Sequence, residues 1–122
     1  MGRVVLEWRR FDSLRKARES FRKKPCIYLL TDRDENVLKV GQSGDLWRRY
    51  FGGTGYMVDA AMHGSGKIVF AAAAPADEAE RRRIEASLIF RHKPPFCIQE
   101  RSIPPRVNLE IEHRGEAPKT ML

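Results

Sequence analysis

The sequence predicts a small α/β domain of the α+β type, in which a mainly antiparallel three-stranded sheet is flanked by helices. Three observations lead to this fold class. Residues 26–41 have the pattern of a β-hairpin, residues 67–74 form a further apolar run that suits a buried strand, and residues 77–93 carry the start and stop signals of a long helix. Two strands joined by a tight turn run antiparallel, which sets the character of the sheet.

A strand and a helix are predicted before the hairpin. Apolar residues within 4–8 indicate a short opening strand, and residues 11–13 supply an N-cap ahead of a strongly basic helix over residues 14–24. Pro25 ends that helix. Residues 1–24 are therefore expected to form a basic N-terminal extension.

The hairpin has a predictable register. Residues 26–31 and 37–41 are rich in strand formers, and the residues between them are turn formers. If residues 32–35 form a four-residue loop, Tyr28 lies directly opposite Lys39, with both side chains on one face and close enough to interact.

The segments after the hairpin are predicted with less regular structure. Asp45 caps a short helix over residues 46–51, which carries Arg48 and Arg49. Residues 52–55 are rich in glycine and predict a mobile loop, and residues 56–63 predict a further helical segment.

The long helix carries the most informative acid. Asp77 and Glu80 have capping-box spacing at its start, and a Lys-Pro-Pro run ends it at residue 93. At 100° per residue, Glu85 falls between Leu88 and Ile89, so its carboxylate is expected to be partly buried. A buried carboxylate needs an arginine, a lysine or a metal ion as its partner. Both a structural ion pair and a metal site fit the position alone.

The C-terminal region predicts a strand and a loose end. Residues 107–113 alternate between apolar and acidic side chains, as a half-exposed strand does, and this strand could pair with the opening one. Residues 115–122 are expected to be flexible. Residues 98–122 would form a C-terminal extension of a single domain that spans residues 1–122, with its core at about residues 25–97.

Composition limits the function classes. The 122 residues suffice for one domain, and a formal charge of +7, from 23 Lys and Arg against 16 Asp and Glu, favours a polyanionic partner such as nucleic acid. Many small proteins are basic without binding nucleic acid, so charge alone does not decide the matter. No run of about 18 apolar residues and no secretory signal occurs, which predicts a cytoplasmic protein without a membrane span. Two cysteines are too few for a disulfide scaffold, and buried free thiols are their commoner role.

Short motifs along the chain resemble those of a known family. They are Cys26-Ile27-Tyr28, Lys39-Val40-Gly41 with Arg49 ten residues after Lys39, and Glu85-Ala86-Ser87-Leu88-Ile89 running to Lys93-Pro94. In order and spacing this set resembles the GIY-YIG endonuclease superfamily and, within it, nuclease domains of the UvrC type. Three motif positions differ: Cys26 stands for the glycine, Lys39 for the second tyrosine, and Cys97 for the late asparagine.

The resemblance implies a fold and a chemistry. It implies a GIY-YIG-like fold that cleaves DNA phosphodiesters with Mg²⁺ or Mn²⁺, and Glu85 would be the metal ligand. Tyr28 would activate the attacking water, assisted by a positive charge on Lys39, because a free phenol has a pKa of about 10. Arg49 would hold the scissile phosphate with its planar fork of donors, while Arg48 would contact the nucleic-acid backbone.

Two further function classes stay open from the sequence. The chain could be a catalytically impaired GIY-YIG-like module that still binds nucleic acid, because the asparagine position is a cysteine, which lacks the paired donor and acceptor of an amide. It could also be a protein-interaction domain that reuses the fold. Specific cleavage by so short a chain would need a targeting partner, a homodimer or the two terminal extensions.

Overall fold

The computed structural model describes residues 2–49, 68–95, 97 and 109–121. The predicted loop at residues 52–55 and the predicted helical segment at 56–63 lie outside these ranges. The described elements in chain order are β1 (Gly2–Phe11), α1 (Leu14–Ser20), β2 (Cys26–Thr31), β3 (Val37–Ser43), α2 (Leu46–Arg49), β4 (Ile68–Ala73), α3 (Glu78–His92), β5 (Leu109–Gly115) and a 3₁₀ helix (Lys119–Met121).

The strands form one mixed five-stranded sheet in the order β3-β2-β4-β1-β5. All neighbours pair antiparallel except β1 and β5, which are parallel from Gly2 opposite Leu109 to Trp8 opposite Gly115. The α+β class and the mainly antiparallel sheet are confirmed. The central sheet is larger than the predicted three strands, because the opening strand and the C-terminal strand both join it and pair with each other.

Each face of the sheet has its own hydrophobic core. On one face, here called the α3 face, Ile84, Leu88 and Ile89 of α3 cover apolar side chains from β1 to β4. On the opposite face, here called the α1 face, Ala17 and Phe21 cover a second set that includes Tyr28. The alternation of side chains along each strand therefore decides to which face a residue belongs.

The hairpin register differs from the prediction by two residues. Tyr28 pairs with Gly41 and Leu30 pairs with Lys39, and the pairing is irregular between Leu30 and Thr31. The turn is one residue longer than predicted, because the Asp32 carboxylate accepts the Asp34 and Asn36 backbone N–H groups, both at 2.9 Å. Leu38 has no partner in the described strand β2 and forms a bulge, which shifts the register by the second residue.

From Lys39 onwards the shift is two residues and keeps each side chain on its predicted face, since side chains alternate with a period of two, whereas Val37, before the bulge, is shifted by one residue and packs on the α3 face. Lys39 therefore remains on the α1 face with Tyr28, as a diagonal neighbour instead of a directly opposite one. Diagonal neighbours lie about 7–8 Å apart, still within reach of long side chains.

The ends of α1 and of the chain also differ from the prediction. α1 stops at Ser20, four residues early, because Phe21 leaves the helix with φ −113° and packs into the core of the α1 face. The tail after residue 115 is not loose in the structure. Lys119 donates its backbone N–H to the Glu35 carboxylate (2.9 Å), and Met121 packs against the core of the α3 face. The tail therefore braces the turn of the hairpin.

Candidate functional site at the edge strand

Tyr28 lies in β2, next to the edge strand β3, and its ring covers Gly41. A β-carbon built on Gly41 would come within 2.8 Å of Tyr28 Cε1 and closer still to Cζ and the hydroxyl oxygen. Gly41 is therefore the position at which only glycine leaves room for the tyrosine. The phenol end of Tyr28 points across β3 towards the edge of the sheet, while the residue as a whole is only 1% exposed.

Glu85 lies in the middle of α3 and is half-buried, as its helical spacing predicts. Its neighbours on the helix surface, Leu88 and Ile89, are buried in the core of the α3 face. Glu80, on the same helix, is exposed. The two acids therefore differ in environment, and Glu85 is the one held against the body of the protein.

Arg81, one helical turn before Glu85, is a residue that the sequence interpretation missed. It is 6% exposed, and its guanidinium donates to Gln42 Oε1 (2.8 Å) and to the carbonyl oxygens of Pro75 (3.1 Å) and Ala76 (2.6 Å). These bonds join the start of α3 to the end of β3. Its signal was the i, i+3 spacing to Ile84, which puts Arg81 on the buried stripe of α3, whereas Arg82 and Arg83 are exposed.

The chain turns from β3 into α2 beside Arg81. The Arg81 Nη2 atom would be 3.4 Å from a β-carbon on Gly44, the first residue after β3. Asp45 then begins α2, since its carboxylate accepts the Arg48 backbone N–H (3.3 Å) and its carbonyl oxygen accepts that of Arg49 (3.0 Å). Bonds from backbone N–H groups, of which that of Lys23 has the largest effect, lower the pKa of Asp45. The side chains of Arg48 and Arg49 are exposed at the end of this short helix.

The two cysteines lie on opposite faces of the sheet. Cys26 belongs to the core of the α1 face and Cys97 to that of the α3 face, so the two form no disulfide with each other. Burial raises the pKa of Cys26 to about 12, so this thiol stays protonated near neutrality. Cys97 is held against the edge strand, where its Sγ accepts the Val40 backbone N–H at 3.4 Å and lies 3.5 Å from the Val40 carbonyl oxygen.

The elements that carry the predicted site residues all adjoin β3, but they lie on two different faces of the sheet. Tyr28 and Lys39 share the α1 face, and Arg49 follows the end of β3 on α2, whose Leu46 packs on that same face. Glu85 comes from α3, which packs on the opposite face but is pinned to the end of β3 by Arg81. A site shared by these residues would therefore have to span both faces around β3, the edge strand of the described sheet, where Cys97 contacts Val40.

Comparison with solved structures identifies the fold. Two solved structures of the GIY-YIG N-terminal endonuclease domain of UvrC from Thermotoga maritima resemble this chain with a TM-score of 0.56 each and 17% sequence identity. Both are tyrosine-to-phenylalanine point mutants bound to a catalytic divalent cation. Each match covers 68% of this chain and 92% of the bacterial domain. No protein-family model matches the sequence, and a search of curated protein sequences gives no match either.

The fold is therefore that of the GIY-YIG nuclease domains. About a third of this chain lies outside the match, and the bacterial domain is covered almost completely. No helix in the described ranges is both long enough and apolar enough to cross a membrane.

Proposed function

We propose that this protein is an endonuclease that hydrolyses DNA phosphodiester bonds with the help of a divalent metal ion, Mg²⁺ or Mn²⁺. In this proposal Glu85 holds the metal, Arg49 binds the scissile phosphate, and Tyr28 orients the attacking water and takes up its proton. Lys39 favours the ionised form of Tyr28 from its diagonal position on the same face. The whole chain acts as one domain, because β1 and β5 from its two ends complete the sheet.

The residues fit a metal ion of the magnesium type. The described residues contain no cluster of three or more His, Cys, Asp or Glu side chains that could enclose a cation, whereas Mg²⁺ accepts one or two carboxylates together with water and substrate phosphate. A half-buried carboxylate on a helix that is bonded to the edge strand suits that second arrangement. A bound cation would neutralise part of the charge that develops on the phosphate.

The position of Glu85 carries the proposal. It is half-buried on the helix that Arg81 fixes to the end of β3, and the phenol of Tyr28 reaches the same strand from the other face. One helical turn separates Arg81 from Glu85, about 6 Å along the axis. This distance is close to the length of two strand residues, so α3, running back along β3 from Gln42, would bring Glu85 to about the level of Val40, next to the Gly41 that Tyr28 covers.

Nicking of supercoiled plasmid DNA tests the proposal. The purified protein is incubated with plasmid and Mg²⁺ or Mn²⁺, and Glu85→Gln is compared with Glu80→Gln as its matched control, because both carboxylates lie on α3 but only Glu80 is exposed. We expect Glu85→Gln to lower the nicking rate by roughly 100-fold or more, in line with the loss of one strong transition-state contact. Glu80→Gln should retain the wild-type rate.

Arg49→Lys adds a second test of the same site. It keeps the charge but loses the planar fork, so it should slow nicking markedly, and Arg48→Lys should have little effect. No metal-dependent nicking by the wild type, or equal nicking by Glu85→Gln, would reject the nuclease assignment.

A nucleic-acid-binding module without catalysis is the second candidate, and two observations favour it. Tyr28 is 1% exposed, which leaves little access for a substrate water. Cys97, at the position of the family's asparagine, is used to bond the Val40 backbone, and it offers no amide to a substrate. In this case gel shifts would show DNA binding that weakens steeply as salt rises, without any Glu85-dependent cleavage.

Both candidates place the protein in the cytoplasm. The chain has only two cysteines, buried on opposite faces of the sheet, and such sparing use of cysteine is usual for a protein of a reducing compartment. In either candidate function, a partner protein or a second copy of this chain would select the target sites on the nucleic acid.

A further inference from the structure

We propose that the end of α1, the turn that follows it and α2 form a surface that binds the phosphate backbone of nucleic acid next to Arg49. This inference rests on the proposed function, since it extends the substrate contact of the same site. The surface, here called the α1–α2 surface, consists of Arg18, Arg22, Lys23, Lys24, Trp47 and Arg48. Its α1 and turn residues lie before the motifs that resemble those of the GIY-YIG family.

Within the described part of the chain, the basic side chains of this surface lack the ion pairs that neutralise the basic side chains in the first half of α1. In the first half of α1, Arg15 pairs with Glu19 and Lys16 pairs with Asp12, at 3.3 and 3.5 Å. The basic side chains of the α1–α2 surface form no salt bridge to any acid within the described ranges. The positive charge of α1 is therefore concentrated at its C-terminal end.

Asp45 begins α2 beside this surface, and its carboxylate is used by the backbone. It accepts N–H groups of Lys23, Trp47 and Arg48, with a further electrostatic contribution from Arg22. These bonds tie the turn after α1 to the start of α2. One negative charge held in this way leaves a clear excess of positive charge around it.

Several contacts hold the surface in a fixed shape. The Arg18 guanidinium donates two hydrogen bonds to the Trp47 carbonyl oxygen, at 2.7 and 3.2 Å, and its Cζ lies 4.6 Å from the centre of the Trp47 ring. Arg22 Cζ lies 5.0 Å from the same ring, and the Leu46 backbone N–H donates to the Phe21 carbonyl oxygen at 3.3 Å. Because α1 and α2 are joined in this way, basic groups on α1 keep a constant position relative to Arg49.

A cluster of basic side chains, of which Arg18 and Arg22 are held by contacts to Trp47, suits a polyanion when it lies beside a phosphate-binding arginine. Backbone phosphates are such a ligand, and lysine and arginine that neutralise them release bound counterions, which makes the affinity depend on salt. The surface would hold the strand on one side of the cut, with little dependence on base sequence. An acidic protein segment would also be attracted, and the experiment below separates the two partners.

The test compares two triple variants with the same loss of charge. Arg22→Gln/Lys24→Gln/Arg48→Gln changes the α1–α2 surface, and Arg33→Gln/Arg82→Gln/Arg83→Gln changes exposed arginines on the hairpin turn and on α3. Lys23 is left unchanged because its backbone has φ 56°, where a substitution would add strain. Both triples are made in the Glu85→Gln protein, and binding to a labelled DNA duplex is measured by fluorescence anisotropy over a range of salt concentrations.

We expect the surface triple to reduce the slope of log Kd against log salt by about 2 to 3, since each phosphate contact contributes about 0.9. The control triple should change the slope by less than about 1. Thermal unfolding of both proteins checks that they fold. Equal effects of the two triples, or no binding of duplex DNA by the parent protein at low salt, would overturn the inference and leave an acidic protein as the partner of this surface.

The outcome can be separated from that of the nuclease proposal. Glu85-dependent nicking together with equal effects of the two triples would reject the surface but keep the nuclease. A selective loss of affinity in the surface triple, without any nicking by the wild type, would keep the surface and reject the nuclease.

Discussion

Replacement of Gly41 by alanine tests the packing that places Tyr28 at the sheet edge. The added methyl group would lie 2.8 Å from Tyr28 Cε1 and closer to two further ring atoms, where ordinary contacts are 3.4–4 Å. Tyr28 is 1% exposed and cannot swing into solvent, so the surrounding core must move. Overpacking costs about 1–3 kcal/mol, and we expect a value near the upper end for this position. For a chain of this size, about 3 kcal/mol lowers Tm by roughly 10 °C.

Thermal and urea unfolding of four proteins measures this effect. They are the wild type, Gly41→Ala, Tyr28→Leu and the double variant, because leucine lacks the outer ring atoms that the methyl group would meet. The cost of Gly41→Ala should be much smaller in the Tyr28→Leu background, as expected for two residues in direct contact. Gly44→Ala is the control, since its methyl group would meet Arg81 at an ordinary 3.4 Å. An unchanged stability of Gly41→Ala, or the same loss in both backgrounds, would refute the proposed contact.

Three further predictions concern stability. Arg81→Met should destabilise the protein by about 2–4 kcal/mol in urea unfolding, because it leaves Gln42 and two carbonyl oxygens without their donor, whereas the exposed Arg82→Met should change little. Ser87→Ala should leave the stability unchanged or raise it by up to about 1 kcal/mol, since the buried Ser87 hydroxyl has no hydrogen-bond partner within the described ranges, and a clear loss would contradict this. The free energy of unfolding should fall as the pH drops below about 6.5. Burial, and secondly nearby positive charge, lowers the pKa values of His92 and His113 in the folded protein, so the unfolded chain takes up protons first. His113→Gln should reduce this pH dependence, and an unchanged pH profile would contradict the prediction.

Local signals in the sequence were sufficient for much of the fold. Strand formers on both sides of a turn predicted β2 and β3, and the cap at Asp77 predicted the start of α3, which begins at Glu78 with the Asp77 carboxylate accepting the Ala79 N–H at 3.0 Å. Alternation in residues 107–113 predicted the strand that becomes β5, including its pairing with β1. These features depend on neighbouring residues, which the sequence displays directly.

Features that depend on distant contacts were predicted less well. The hairpin register was wrong because the Asp32 side chain stabilises a longer turn and a bulge follows, and neither has a strong local pattern. The ordered tail was missed because its bonds to Glu35 join residues more than 80 positions apart. Arg81 was missed within a run of three arginines, since only the tertiary structure distinguishes the buried one from its neighbours.

For the candidate site, the sequence supplied the residues but not their arrangement. Lys39 was predicted directly opposite Tyr28, whereas the structure makes it a diagonal neighbour on the same face. Glu85 was predicted to be partly buried, and it is half-buried on α3. The role of each residue in catalysis stays a prediction, because it depends on whether side chains from opposite faces of the sheet can reach one substrate around β3.

Diffraction from crystals soaked in Mn²⁺ tests the central claim most directly, because manganese is located by its anomalous scattering. We predict one strong peak bound by the Glu85 carboxylate at the edge of β3, facing Tyr28 and Arg49, and no such peak in Glu85→Gln crystals. A peak that persists in Glu85→Gln, or wild-type crystals without manganese at that edge, would contradict the claim that Glu85 is the metal ligand of this fold.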